Sequence, residues 1–136
     1  MSLDVSEDLL SKAEAGEVTD ADFVDCVKQS LPFAWDLIAK VVHDLKNGVV
    51  SSSGSTQFAD NTTPPPDEQA RGQLLRVLAS DSMRGALERH HGVKLAFQNC
   101  HRIAAFPVSE VDSDTYRKFI SPRGQLLNQS PELKDC

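Results

Sequence analysis

The sequence predicts a mainly α-helical protein in which two long helices pack antiparallel, short helices complete the core and a small β-hairpin covers one end. Apolar residues recur every three or four positions between Phe23 and Leu45, which is the spacing of one buried helix face. Residues 67–91 combine an acidic start and a basic end, both of which suit the helix dipole, and Gly92 supplies a left-handed stop. Two short apolar stretches after Gly92 predict the hairpin.

Length and composition limit the classes of protein to consider. A chain of 136 residues predicts one domain over residues 1–136. A net charge of −6 opposes binding to nucleic acid, and no stretch approaches the roughly 20 apolar residues that span a membrane. The three cysteines have no CxxC pair, and His90, His91 and His101 lack a recognised ligand spacing, so we expect no metal and no cofactor. Without a signal peptide, the expected location is cytoplasmic.

The charge is unevenly distributed along the chain. Residues 1–25 carry eight acidic side chains against Lys12, whereas residues 71–102 carry six Lys or Arg against Asp81 and Glu88. The plain interpretation is a solvated acidic face beside a basic helix. The alternative is that the basic segment receives an anionic ligand, a peptide or an acidic protein partner.

The first half of the chain contains three helix signals. Residues 6–13 can form a short opening helix, and Thr19 with Asp22 has the spacing of a capping box at the start of the first long helix. Pro32 interrupts the apolar stripe, so we expect a kink or a division near residues 30–32. Asn47 and Gly48 then end the helix.

A flexible Ser/Gly/Pro-rich loop is expected at about residues 48–66, with Phe58 as its apolar anchor. Three prolines lead from this loop into the second long helix, residues 67–91.

The hairpin and the carboxyl end follow the second long helix. Residues 93–97 and 103–106 are expected to be strands joined near residues 98–100, although a helical interpretation stays open. Residues 112–120 can form a short helix, residues 123–129 another turn or two, and residues 130–136 a tail. Buried positions are expected at Leu31, Ile38, Val41, Leu74, Leu78 and Phe97.

Asp81 is the first candidate for chemistry. It falls on the apolar stripe through Leu74 and Leu78, where a buried carboxylate would need a partner such as Arg84, or Arg102 or His101 from the hairpin. This pattern indicates either a structural ion pair or a carboxylate positioned for proton transfer.

The second candidate is the cluster from Asn99 to Arg102, which contains a thiol, a titratable base and a guanidinium. Cys100 and His101 are neighbours, and neighbours on a strand point to opposite faces, so they are not expected to form a catalytic pair. Together the two candidates predict catalytic roles for Asp81 and His101. They also predict a ligand-binding set, which is Arg71, Arg84, Asn99 and Arg102.

Two glycines stand beside arginines in the second long helix, at Arg71-Gly72 and Arg84-Gly85. Glycine costs about 1 kcal/mol relative to alanine inside a helix, so close packing is expected at these positions. The contact could be with another helix across a homodimer, or with a ligand. With aromatic residues only 6% of the chain, dimerisation along an apolar helix stripe is the expected way to complete the core.

Three segments carry a resemblance to a known family: Phe58 to Arg76, Ala96 to Arg102, and Leu126 to Cys136. They resemble a small family of unassigned function from Streptomyces-type actinobacteria, which lends no activity. In size, source and lack of standard motifs, the chain is also similar to the small proteins that form the lysinoalanine bridge of cinnamycin- and duramycin-type lanthipeptides. That similarity carries over no site residue.

Two functions from different classes are therefore expected. The first is a non-catalytic interaction or ligand-binding module of the actinobacterial cytoplasm, acting as a homodimer. The second is a cofactor-free peptide-tailoring enzyme that forms a lysinoalanine-type cross-link by positioning and proton transfer. The enzyme requires a concave pocket where the candidate residues converge, whereas the interaction module does not.

Overall fold

The computed structural model of the chain describes residues 2–53, 56–61, 63–99 and 101–127. These residues form seven α-helices, one short 3-10 helix and a four-stranded antiparallel sheet, which confirms a mainly α protein. Within the described ranges, none of the helices is long and apolar enough to cross a membrane. The helices are α1 (Glu7–Glu14), α2 (Asp20–Ser30), α3 (Pro32–Lys46), α4 (Glu68–Leu78), α5 (Asp81–His91), α6 (Asp114–Phe119) and α7 (Pro122–Leu127). The strands are β1 (Ser51–Ser53), β2 (Thr56–Asp60), β3 (Lys94–Gln98) and β4 (Arg102–Phe106).

The predicted division of the first long helix is confirmed. Thr19 and Asp22 form the expected capping box at the start of α2. Pro32 is the first residue of α3, a position that needs no backbone N–H. The next two backbone amides, of Phe33 and Ala34, donate to the side-chain oxygen of Gln73 in α4 at 2.8 and 3.2 Å. A buried side chain from a distant helix therefore caps α3.

The prediction of one long helix over residues 67–91 is wrong, because this segment forms two separate helices, α4 and α5. Ser80 lies in extended backbone conformation between them, and its hydroxyl accepts the backbone N–H of Met83 at the start of α5. Serine is among the most favourable N-cap residues, so it starts a new helix where the apolar pattern alone suggests continuity. Arg84 caps the carboxyl end of α4, because its Nη1 donates to the carbonyl of Leu78, the last residue of that helix, at 2.9 Å.

The hairpin is confirmed, but it is one half of a larger sheet. Strands β3 and β4 pair antiparallel, with Phe97 opposite Ile103. Part of the predicted flexible loop forms β1 and β2, and β2 pairs with β4 through Ala59 and Ala105. The strand order is β1-β2-β4-β3, so β3 is an edge strand. Cys100, the end of the predicted turn at residues 123–129 and the predicted tail lie outside the described residues.

The sheet lies between two layers of helices instead of covering one end. One face packs against α2, α3, α4 and α5 through Ala59, Leu95, Ile103 and Ala105. The other face packs against α6 through Phe58, Ala96, Ala104 and Phe106. The ring of Phe106 lies 5.0 Å from that of Phe58 and 5.2 Å from that of Tyr116. Aromatic pairs of this kind contribute about 0.5–1.5 kcal/mol each beyond their burial.

Five of the six residues expected to be buried are buried, and Phe97 is half-buried. Phe97 differs because it stands on the edge strand, where no further strand covers it. The buried five are Leu31, Ile38, Val41, Leu74 and Leu78.

Candidate functional site

Asp81 is not the buried carboxylate that the sequence predicts. It is the first residue of α5, and 95% of its side chain is exposed. Its carboxylate pairs with Arg84 one turn along the helix. The stripe through Leu74 and Leu78 ends with α4, so Asp81 does not continue it. The pairing with Arg84 was expected, but Asp81 shares no hydrogen bond or ion pair with His101 in the described part of the chain.

His101 and Arg102 lie in the turn and first position of β4, both buried. Arg102 pairs with Asp60 of β2, with its Nε and Nη2 at 2.9 and 2.8 Å from one carboxylate oxygen. Its guanidinium also lies 5.0 Å from the ring of Phe119. Arg102 therefore makes structural contacts inside the protein. The Nδ1 atom of His101 has no hydrogen-bond partner within the described residues.

The remaining predicted ligand-binding residues are spread over three places. Arg71 pairs with Glu68 in the first turns of α4. Arg84 engages Leu78, Asp81 and Glu88 with its three nitrogen atoms, and the Nε–Glu88 distance is 4.0 Å. Asn99 has a positive φ of 46° in the hairpin turn, a conformation that asparagine tolerates better than most residues.

Asn99 is tied to α7 through Gln125. Its backbone N–H donates to the Gln125 side-chain oxygen at 3.0 Å, and its side-chain amide donates to the Gln125 carbonyl. The structure therefore does not gather the predicted catalytic and ligand-binding residues at one pocket.

A groove of about 380 Å³ follows the outer edge of β3 instead. The turn between α4 and α5 forms one wall, and α6 and α7 form the other. It is lined by Leu78, Ala79, Arg84, Lys94, Leu95, Ala96, Phe97, Tyr116, Ile120 and Gln125. The groove thus continues the plane of the sheet between its two helical layers.

The backbone of β3 presents hydrogen-bonding groups to this groove. Ile103 directs its N–H and C=O toward Asn61 beyond β2, so it does not exchange these bonds with Phe97 opposite. In an antiparallel ladder such pairs alternate, so Phe97 and Leu95 both point their N–H and C=O groups outward.

Side chains satisfy two of these four outward groups. The Leu95 N–H donates to the carboxylate of Glu88 at 2.8 Å, and the Phe97 C=O accepts from the side-chain amide of Gln125 at 3.0 Å. Among the described residues, the Leu95 C=O and the Phe97 N–H have no hydrogen-bond partner. One carbonyl and one amide therefore remain open in the groove.

The charges of the groove are balanced. Lys94 lies 3.3 Å from the Glu88 carboxylate, and Arg84 pairs with Asp81. The groove therefore offers backbone hydrogen bonds and apolar walls more than a net charge. The sequence did not indicate Glu88, Lys94, Phe97 or Gln125 as site residues. The signal that could have found them was the predicted hairpin, because each strand of an isolated hairpin has an outer edge that is available for pairing.

A second group of titratable side chains lies at the other end of α5. The ring of His91 lies 5.5 Å from that of Trp35, and the Lys46 ammonium donates to the His91 carbonyl at 2.7 Å. Burial, together with the positive charges of His90 and Lys46, lowers the pKa of His91 to about 4. In the ranges that the structure describes, no group of three or more His, Cys, Asp or Glu could hold a metal ion.

The fold and the groove define a small, mainly helical protein with an accessible edge on a central antiparallel sheet. The whole chain, residues 1–136, matches the model of a family described as the NucS shadow ORF, and the chain belongs to this family. The description gives no activity, substrate or partner. No curated protein and no solved structure matches the chain. The similarities to an actinobacterial family and to lysinoalanine-forming proteins stay predictions.

Proposed function

We propose that the chain is a non-catalytic module that binds an extended peptide along the outer edge of β3. The observation that carries this proposal is the open pair of backbone groups, the Leu95 C=O and the Phe97 N–H, facing a groove of about 380 Å³. Peptides that add to a sheet edge gain affinity from such main-chain hydrogen bonds and specificity from pockets for alternate side chains.

The walls of the groove suit the two faces of an added strand. Side chains on one face of the peptide would contact Leu78 and Ala79 at the α4–α5 turn, and those on the other face would contact Tyr116 and Ile120. Side chains of a strand alternate between its two faces, so both walls would be used by one short segment.

The charge balance of the groove favours recognition of the peptide backbone. Glu88 offsets Lys94, and Asp81 offsets Arg84, so neither cation is left to select an acidic ligand. Preference for an acidic partner and formation of a homodimer stay predictions. The alternative of a peptide-tailoring enzyme also stays a prediction, and its candidate residues Asp81 and His101 stand on separate elements.

Selection from a random seven-residue peptide phage library, followed by titration of the purified protein with the selected synthetic peptides, tests the proposal. The matched variants are Phe97→Pro, which removes the open N–H, and Phe97→Ala, which removes the ring and keeps the N–H. Proline is tolerated where an edge strand directs its N–H away from the sheet.

Selected peptides are expected to bind Phe97→Pro at least about tenfold more weakly than Phe97→Ala, since one buried hydrogen bond and its geometry are lost. Single backbone nitrogens of the peptide are also methylated one at a time, with the protein unchanged. Methylation of the nitrogen that donates to the Leu95 C=O should abolish binding. Equal binding by both Phe97 variants, or no position sensitive to methylation, would contradict binding at this edge.

A further inference from the structure

We infer that the side chain of Gln125 occupies the next peptide position along the β3 edge and so sets the length of peptide that the protein binds. This inference rests on the proposed function. It makes Gln125 a residue that determines specificity by competing with the ligand for backbone groups of the protein.

The side chain of Gln125 makes two hydrogen bonds that a neighbouring strand would make. Its side-chain nitrogen donates to the Phe97 C=O at 3.0 Å, and its side-chain oxygen accepts the Asn99 N–H at 3.0 Å. An added strand satisfies an edge in this way, with one donor for a carbonyl and one acceptor for the amide two residues on. The open pair on Leu95 and Phe97 is the same arrangement shifted by two residues.

Two adjacent positions therefore lie along the edge, one open and one filled by the Gln125 carboxamide. A ligand that uses only the open position is limited to the two groups on Leu95 and Phe97. A ligand that extends past Phe97 has to replace these two hydrogen bonds of the Gln125 carboxamide with its own.

Helix α7 has contacts with the hairpin that do not depend on the Gln125 carboxamide. A separate hydrogen bond, from the Asn99 side chain to the Gln125 carbonyl, joins the helix backbone to the hairpin turn. Gly124 is also buried against Gln98, and a Cβ there would lie 2.9 Å from the carbonyl of Lys118. Rotation of the Gln125 side chain would uncover the Phe97 C=O and the Asn99 N–H and leave these backbone contacts of α7 in place.

Glu88 at the other end of the edge is held differently. Its carboxylate binds the Leu95 N–H and Lys94 at the same time, and its side chain is only 13% exposed. Because displacing it would break an ion pair as well as a hydrogen bond, Glu88 fixes one end of the peptide site while Gln125 can yield at the other.

Peptides of seven residues are first selected on wild type and on Gln125→Ala, and a peptide from these selections is labelled with a fluorophore. The test measures its binding to four proteins. These are wild type, Gln125→Ala, Gln125→Glu and Arg123→Ala. Gln125→Glu keeps an acceptor for Asn99 and loses the donor for Phe97 near neutral pH, and Arg123→Ala alters an exposed residue of the same helix. Amide hydrogen exchange of Asn99 is followed in parallel.

Gln125→Ala is expected to bind the peptide on the order of tenfold more tightly than wild type, because two net hydrogen bonds no longer have to be broken first. Its Asn99 amide should exchange faster than in wild type without peptide and be protected again with peptide. Gln125→Glu should fall between the two, and Arg123→Ala should match wild type.

Unchanged or weaker binding by Gln125→Ala, with Asn99 unprotected by peptide, overturns the inference. If wild-type binding still depends on the Phe97 N–H in that case, the proposed function stands. Absence of peptide binding by every variant overturns the inference and the proposed function together.

Discussion

The β3–β4 hairpin is completed differently on its two sides. Toward β2, the buried Asn61 side chain pairs with the backbone by accepting the Ile103 N–H and donating to the His101 carbonyl. The Asp60 carboxylate pairs with the buried Arg102 side chain. Toward the groove, the partly buried side chains of Glu88 and Gln125 each make one hydrogen bond to the backbone of β3, and two backbone groups stay open. On the closed side, a buried side chain holds the backbone groups of Ile103 and His101, whereas on the open side two backbone groups remain available to water or to a ligand.

This difference indicates that the closed side fixes the register of the sheet and the open side is available for exchange with a ligand. Buried polar groups cost free energy when a partner is lost, because water does not replace it. Groups at an accessible edge recover hydrogen bonds from water. Substitutions on the two sides should therefore differ in their effect on the free energy of unfolding.

The largest loss is expected for Arg102→Met, which leaves the Asp60 carboxylate without its buried partner. Breaking a buried ion pair by removing one member costs about 3–5 kcal/mol, and the Arg102 side chain is only 5% exposed. Urea denaturation followed by circular dichroism measures this loss. The double variant Asp60→Leu with Arg102→Met should recover much of it, and a double variant as unstable as the single one would argue against an uncompensated charge as the cause.

A smaller loss, about 2–3 kcal/mol, is expected for Asn61→Ala, because the Ile103 N–H and the His101 carbonyl both lose a buried partner. Gln125→Ala on the open side should cost only about 1 kcal/mol, since water can reach the groups that it uncovers. The same urea measurement on the two variants sharpens the comparison directly. Equal losses would mean that the two sides are equally closed.

An effect of similar size to that of Gln125→Ala is expected from acid. Burial lowers the pKa of His91 to about 4 in the folded protein, against 6.5 for an ordinary histidine, so the unfolded chain binds a proton first as pH falls. Stability from this group is complete above about pH 6.5 and is lost as pH falls toward 4. Because His91 is partly exposed, screening reduces the loss to about 1 kcal/mol.

Thermal unfolding of wild type and His91→Gln between pH 7 and pH 4 tests this expectation, and the variant should show a flatter dependence. Parallel curves for the two proteins would assign the acid sensitivity to other groups.

The parts of the fold that follow from local chemistry were predictable. Pro32 removes a backbone donor and restricts φ, so a helix boundary could be placed there without knowledge of the rest of the chain. Ser80 also starts a helix, but apolar residues at helical spacing lie on both sides of it, and only the packed structure shows that it acts as a cap. Strands β1 and β2 could not be predicted, because β1 is a run of serines, β2 has a single large apolar residue, Phe58, and the pairing of β2 depends on β4.

The candidate site could not be predicted for a related reason. A sequence indicates candidate sites through side chains with reactive groups, and here those side chains are Asp81 and His101. The groove instead presents the C=O of Leu95 and the N–H of Phe97, which are groups that nearly every residue carries. Their accessibility depends on strand order, and strand order is a property of the whole fold.

The cap that Gln73 provides to α3 has a consequence for synthesis of the chain. Phe33 is synthesised well before Gln73, which lies 40 positions further along the chain. Until α4 arrives, the backbone amides of Phe33 and Ala34 must bind water, and the first turn of α3 is left to fray. The final arrangement of α3 therefore belongs to a late stage of folding, when both halves of the chain are present at once.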